Sequence, residues 1–212
     1  MTDEIVLYTH PMSRGRIARW MLEETGQPYR AEIVGYGPAM KRADYRAINP
    51  MGKVPALTHR GAVVTECAAI CAYLADAFPQ AGLAPAPGSP ERGPYYRWMF
   101  FGAGPVEAAT TNRSLGVVVP DDKQGFVGYG SYDTVLNALE GALKTGPWLL
   151  GERFSAADVY LGSQIAWGVQ FGTIEKRPGF EDYVARLYGR PAAVRARAID
   201  DALMAQQKAA QG

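Results

Sequence analysis

Pro79, Gly82, Pro85, Pro87, Gly88 and Pro90 crowd into one short stretch, and no regular helix or strand runs through so many breakers. The chain therefore divides there. Before the break, short strand-like runs alternate with helical patterns; after it, no convincing strand pair is found. A chain of 212 residues suits two modest domains. The expected division is 1–79, a linker over 80–90, and an all-helical domain over 91–212. Such a length can bury a core without disulfides or a structural metal.

In the first half, Ile5-Val6-Leu7-Tyr8 reads as a short buried strand and Thr9-His10-Pro11-Met12-Ser13 as a turn. Ile17, Trp20 and Met21 then fall at i, i+3, i+4, with Ser13 a fitting N-cap and Gly26 a fitting stop. Tyr29 to Val34 predicts a second strand, which makes a right-handed βαβ unit. A short helix is expected over Met40 to Ile48. Asn49-Pro50-Met51-Gly52-Lys53-Val54-Pro55 is too rich in breakers for regular structure. Residues 56–59 and 62–65 flank Arg60-Gly61 as a hairpin. Cys67, Ile70, Cys71, Leu74 and Phe78 make the apolar stripe of a following helix. Beyond the linker, helical patterns run near 91–112, 125–145, 155–171, 178–189 and 191–208, with 113–123 read as a loop. The order β-α-β-(α)-β-β-α is a thioredoxin-like α/β domain; the rest is all-α.

Lys plus Arg number 22 and Asp plus Glu 21, a net charge of +1. That balance gives no electrostatic case for nucleic acid or an anionic membrane. No apolar run reaches the ~20 residues needed to span a bilayer, and the acidic start Met1-Thr2-Asp3-Glu4 lacks a signal-peptide pattern. The two cysteines and two histidines lack a zinc-site spacing, with His10 and His59 far apart along the chain, so no metal is expected. A reduced, cytoplasmic protein is the expectation. Cys67 and Cys71 are spaced C-x3-C, unlike a C-x-x-C redox pair.

Three segments in order carry a resemblance: Asn49-Pro50-x-Gly52-Lys53-Val54-Pro55-Ala56-Leu57, Thr65-Glu66-Cys67-Ala68-Ala69-Ile70, and Phe154-Ser155-Ala156-Ala157-Asp158-Val159-Tyr160. On these the chain resembles the soluble glutathione S-transferases over essentially its whole length, as a bacterial-type member. The resemblance implies a thiolate-forming transferase that conjugates glutathione, its co-substrate, to a small hydrophobic electrophile, and that works as a homodimer. A glutathione-dependent isomerase or dehalogenase on the same site, or a non-catalytic glutathione-binding protein of this fold, are the rival readings. The electrophile pocket is expected between the domains, with residues 95–115 and 167–171 as its helical wall.

The resemblance also assigns residues. Pro55 is expected to be cis, leaving the Val54 backbone to pair with the cysteinyl part of glutathione as an added strand. Glu66 takes the ammonium of the γ-glutamyl arm, while the backbone N–H of Cys67, at a helix start, suits its carboxylate. Cys67 stands where Ser is usual, and a thiol is a weak donor. Lys53 can meet the glycine carboxylate as a point charge. Ser13 is the expected catalytic hydroxyl, with Arg14 or Arg16 and the helix dipole supporting an anion nearby. The stretch from Ser13 to Gly26 is about one residue shorter than in serine-type members, so Thr9, His10 and Tyr8 remain alternatives. Ser155 and Asp158 form a capping box; their role is structural and a cap of this kind is worth about 1 kcal/mol.

Overall fold

The structure is a computed structural model and describes residues 3–210. Met1 and Thr2, part of the acidic start noted above, lie outside the described residues. By internal contacts the chain forms two compact units, Met1–Ala81 with Gly189–Gly212, and Gly82–Tyr188.

The first unit holds a four-stranded sheet in the order β2-β1-β3-β4, built from β1 (Ile5–Thr9), β2 (Arg30–Ile33), β3 (Ala56–His59) and β4 (Ala62–Thr65). β1 runs parallel to β2 across helix α1 (Gly15–Thr25) and antiparallel to β3, which pairs antiparallel with β4. The expected helix near 40–48 is two short ones, α2 (Pro38–Lys41) and α3 (Ala43–Ile48), because Arg42 between them is extended. α4 (Cys67–Ala77) follows β4. Leu7, Leu57, Ile17, Met21, Leu22, Ile70 and Leu74 are fully buried. Each such side chain contributes about 1.5–3 kcal/mol of burial.

The second unit is helical. α5 (Arg92–Phe101) runs through a widened π turn at Gly102–Val106 into α6 (Glu107–Ser114). Pro105 sits in that turn, and a missing N–H is a common cause of such an irregularity. A 3-10 turn, Asp121–Phe126, precedes α7 (Tyr132–Leu143), then α8 (Ala156–Phe171) and α9 (Pro178–Tyr188). The centre of this unit is Tyr95, Leu136, Leu161, Ile165, Phe180, Tyr183 and Leu187.

The last helix, α10 (Pro191–Ala209), packs on α1 in the first unit, whereas the sequence pattern groups it with the helical half. Ion pairs join the two helices and their flanks, among them Arg16–Asp201, Arg19–Asp200, Arg195–Glu23 and Arg190–Glu24. Exposed pairs of this kind contribute little. Arg19 and Asp200 are both buried, 2.9 Å apart, so truncating either would strand a buried charge. Burial pushes the Asp200 carboxyl above its usual value, and the Arg19 guanidinium pulls it back. Among the described residues, no helix is long and apolar enough to cross a membrane.

Candidate functional site

Sheet register is what assembles the candidate site. Tyr8 pairs with Ala56, and Ala56 pairs with Thr65. One step beyond that row the chain reaches Thr9, Pro55 and Glu66. The turn after β1, the loop before β3 and the start of α4 therefore meet at one end of the sheet. The thiol of Cys67 lies 3.6 Å from the Arg14 carbonyl, so the starts of α4 and α1 meet as well.

The Val54–Pro55 peptide is cis. Val54 is half-buried, and its N–H and C=O take part in no hydrogen bond among the described residues. The loop that presents it is held from behind. The Lys53 carbonyl accepts from the Tyr45 hydroxyl at 2.7 Å and from Asn49 Nδ2 at 2.8 Å. Lys41 Nζ donates to the carbonyls of Met51 and Gly52. Gly52 has φ 57°, and a side chain there would run into the Met40 carbonyl, so the turn requires glycine. The Lys53 side chain itself is exposed. Tyr45 and Lys41 had no sequence signal as loop holders. Tyr45 reads only as one residue of a short helix, and its reach to Lys53 depends on how α3 folds back over the loop.

Glu66 adopts φ 65°, a region that costs a non-glycine residue free energy and is seen mostly where function or packing demands it. Its side chain is exposed and makes no cap. Ile70 N–H is the first to find a helical partner, the Glu66 carbonyl. The first turn of α4 thus has no side-chain cap and begins beside an exposed carboxylate. Cys67 and Cys71 are both buried free thiols. A hydrogen bond to Cys67 and full burial push the Cys71 thiol well up, so neither spacing nor chemistry suits it to redox work.

Ser13 is half-buried at the turn before α1. Its hydroxyl donates to the His10 carbonyl at 2.7 Å and accepts from Gly15 N–H at 2.9 Å. Donation to a ligand sulfur would have to replace the His10 bond. The alternatives are placed less favourably. Thr9 Oγ1 is buried without a partner and packs where a side chain on Gly15 would go, so Gly15 is required there. Tyr8 points to the other face, with its ring 6.0 Å from that of Tyr45, and lines a cavity of about 380 Å³ beside α3. His10 is buried against Tyr36, its Nδ1 accepts from Met12 N–H, and desolvation pushes its pKa below the usual imidazole value. Arg16 bonds the Pro11 carbonyl and Asp201, which makes it a tie between the turn and α10 rather than an anion holder. Among the described residues no group of three or more His, Cys, Asp or Glu could hold a metal.

In the second unit, Ser155 and Asp158 form the expected capping box, and Asp158 does more than cap. Its carboxylate accepts from the N–H of Ser155 and Leu149 and from the hydroxyls of Ser155 and Tyr183. Burial pushes its pKa up while these four bonds oppose the rise.

Family models agree with this architecture. Residues 12–77 match the N-terminal domain of glutathione S-transferases and residues 119–186 the C-terminal domain. The chain is 33% identical over 125 residues to glutathione S-transferase GstA of Escherichia coli O157:H7, a match spanning 58% of this chain and 61% of that protein. A glutathione transferase of Methylococcus capsulatus superposes with a TM-score of 0.78 at 31% identity, covering 93% of this chain and 98% of the other. A sphingomonad glutathione S-transferase complexed with glutathione superposes with a TM-score of 0.73 at 28% identity, covering 92% and 98%. The thioredoxin-like sheet, the helical second half and both matched models lead to one conclusion: the chain belongs to the glutathione S-transferase family.

Proposed function

We propose that this protein binds glutathione at the end of its sheet and transfers it, as the thiolate, to a small hydrophobic electrophile. The observation that carries this reading is the convergence of the unpaired Val54 backbone, the uncapped start of α4 with Glu66, and the Ser13 turn. An extended peptide could pair with Val54 as an added strand. Its γ-glutamyl carboxylate would meet the N–H of Cys67, its ammonium Glu66, and its glycine carboxylate Lys53. The thiol would lie near the Ser13 hydroxyl, whose donation to sulfur stabilises the charged form. A free thiol near pKa ~8.5 is mostly protonated at neutral pH, so lowering that value is the chemistry the site must supply.

The bound-thiol titration tests this. Ser13→Ala should raise the pKa of bound glutathione by about one or two units, each worth ~1.4 kcal/mol, and slow conjugation more than it weakens binding. If Ser13→Ala leaves that pKa in place while Thr9→Ala or Tyr8→Phe raises it, the hydroxyl donor lies on the strand side of Pro11. Tight glutathione binding with no conjugation across a panel of electrophiles and haloacids would instead favour a binding protein on this fold.

A homodimer is part of the proposal. Tyr96 and Phe100 form an exposed aromatic pair on α5, the kind of surface a second copy covers. Sedimentation at micromolar concentration should give about twice 23.0 kDa; a monomer would remove this part.

A further inference from the structure

The second unit contains a cavity of about 280 Å³ between the end of α6, the loop that follows it and the start of α7. Its lining includes the apolar Val117 and Val119 and the polar or aromatic Asn112, Arg113, Tyr129 and Tyr132. We propose that this cavity binds a small apolar monocarboxylate, with Arg113 and Tyr129 as the groups that recognise the anion. Every residue the inference uses belongs to the second unit, so it can be tested without glutathione; Asn112 and Arg113 also fall within 95–115, the stretch expected to wall the electrophile pocket.

Three features point the same way. The Arg113 guanidinium lies over the Tyr132 ring, 4.2 Å from its centroid, and no carboxylate of the described residues pairs with it. Tyr132 is itself fixed, because its hydroxyl donates to the Thr173 carbonyl and accepts from Glu175 N–H. An arginine seated over a fixed ring is steadied by it and keeps its charge available. The second feature is the Tyr129 hydroxyl. It accepts from Asn112 Nδ2 at 2.9 Å, which leaves its own hydrogen without an acceptor among the described residues. The third is that α7, twelve residues long, begins at the cavity wall, where Ser131 and Tyr132 line the space; the Ser131 hydroxyl takes Thr134 N–H, and the positive end of the helix dipole lies beside the cavity.

The features that would oppose an anion are muted. Near the end of α6 the carbonyls of Thr111, Arg113 and Asn112 are taken by the N–H groups of Leu115, Gly116 and Val117. Asp133, in the first turn of α7, does not line the cavity. The volume lies just below the usual range for drug-sized ligands, which sets the size class: one ring or a short alkyl chain with one carboxylate. The valines would cover the apolar part, and the guanidinium and phenol would hold the head group.

Phenylacetate and its neutral isostere phenylacetamide are suitable probes, titrated into the intact protein and followed by amide chemical shifts. Phenylacetate should give saturable shifts at residues 112–119 and 129–132, and phenylacetamide should bind about tenfold more weakly or worse. Arg113→Gln should weaken phenylacetate by about tenfold or more, Arg113→Lys less, and Tyr129→Phe a few-fold. Equal binding of acid and amide, an unchanged dissociation constant in Arg113→Gln, shifts confined to other residues, or no saturation in the millimolar range would each overturn the proposal. Displacement of phenylacetate by glutathione would also overturn it as a separate site. If Arg113→Gln proves unstable because it loses the ring contact, the acid-against-amide comparison and Tyr129→Phe decide the matter alone.

Discussion

α4 and α8 each open on a short polar signal, Thr65-Glu66-Cys67 in one and Ser155-Ala156-Ala157-Asp158 in the other, and the two starts are finished differently. At α8 the ring is closed. Ser155 and Asp158 satisfy each other's backbone, Asp158 also takes Leu149 and Tyr183, and both residues are completely buried. At α4 nothing closes. Glu66 makes no cap, turns its side chain outward and holds a backbone conformation that costs free energy. The donors that stabilise the fold at α8 are left at α4 for something else to meet. An acidic residue at a helix start is therefore structural where its oxygens are consumed by its own chain. It is a candidate for binding where they are not.

That contrast can be broken experimentally, and the largest effect belongs to the closed end. Asp158→Ala removes one carboxylate and leaves several buried donors without acceptors. It should lower unfolding free energy by about 3–5 kcal/mol in urea denaturation. The sequence alone suggests about 1 kcal/mol, the worth of a cap; a loss that small would mean that the Leu149 and Tyr183 bonds contribute little. Glu66→Gln is the counterpart at the open end. It should weaken glutathione binding by about 1.5–3 kcal/mol in calorimetric titration and leave stability unchanged. Lost stability with intact binding would show that α4 is capped in a way the geometry does not reveal.

Tyr45→Phe asks whether the open end depends on its support. The Lys53 carbonyl would keep Asn49 and lose the phenol, so stability should fall by about 1 kcal/mol and glutathione affinity should fall with it. Unchanged affinity would separate loop anchoring from binding.

The smallest effect is one of pH. Desolvation holds the folded-state pKa of His10 below its unfolded value of about 6.5. Below that value the unfolded chain takes up a proton that the folded chain resists, so stability should decline as pH falls from about 6.5 toward the folded pKa. His10→Gln should flatten the decline across that window, and an identical pH profile in the variant would assign it to other groups.

Much of this was legible in the residues. The breaker-rich stretch separates the strand-bearing part from the helical one, and the compact units part at residues 81 and 82, inside it. The apolar period of Cys67 to Phe78 marks α4, and Ser155 with Asp158 marks the start of α8. These are local signals, read within a turn or two of helix. Tyr45 and Lys41 carry no local signal, because their hydrogen bonds span eight to eleven residues and depend on how α2 and α3 fold over the loop.

By itself the sequence determined which segments are strands, which are helices and where the family's motifs stand, because propensity, periodicity and capping act between neighbours. Only the tertiary structure decided what those segments meet. The helical period of residues 191–208 says that one face is apolar and says nothing of its partner. In the fold that partner is α1: Ala192, Ala193 and Ala196 are buried, and the buried Asp200 meets the buried Arg19. In the same way Thr9, Pro55 and Glu66 lie far apart along the chain. They share one end of the sheet because strand register, set by long-range hydrogen bonds and burial on both faces, aligns Tyr8, Ala56 and Thr65.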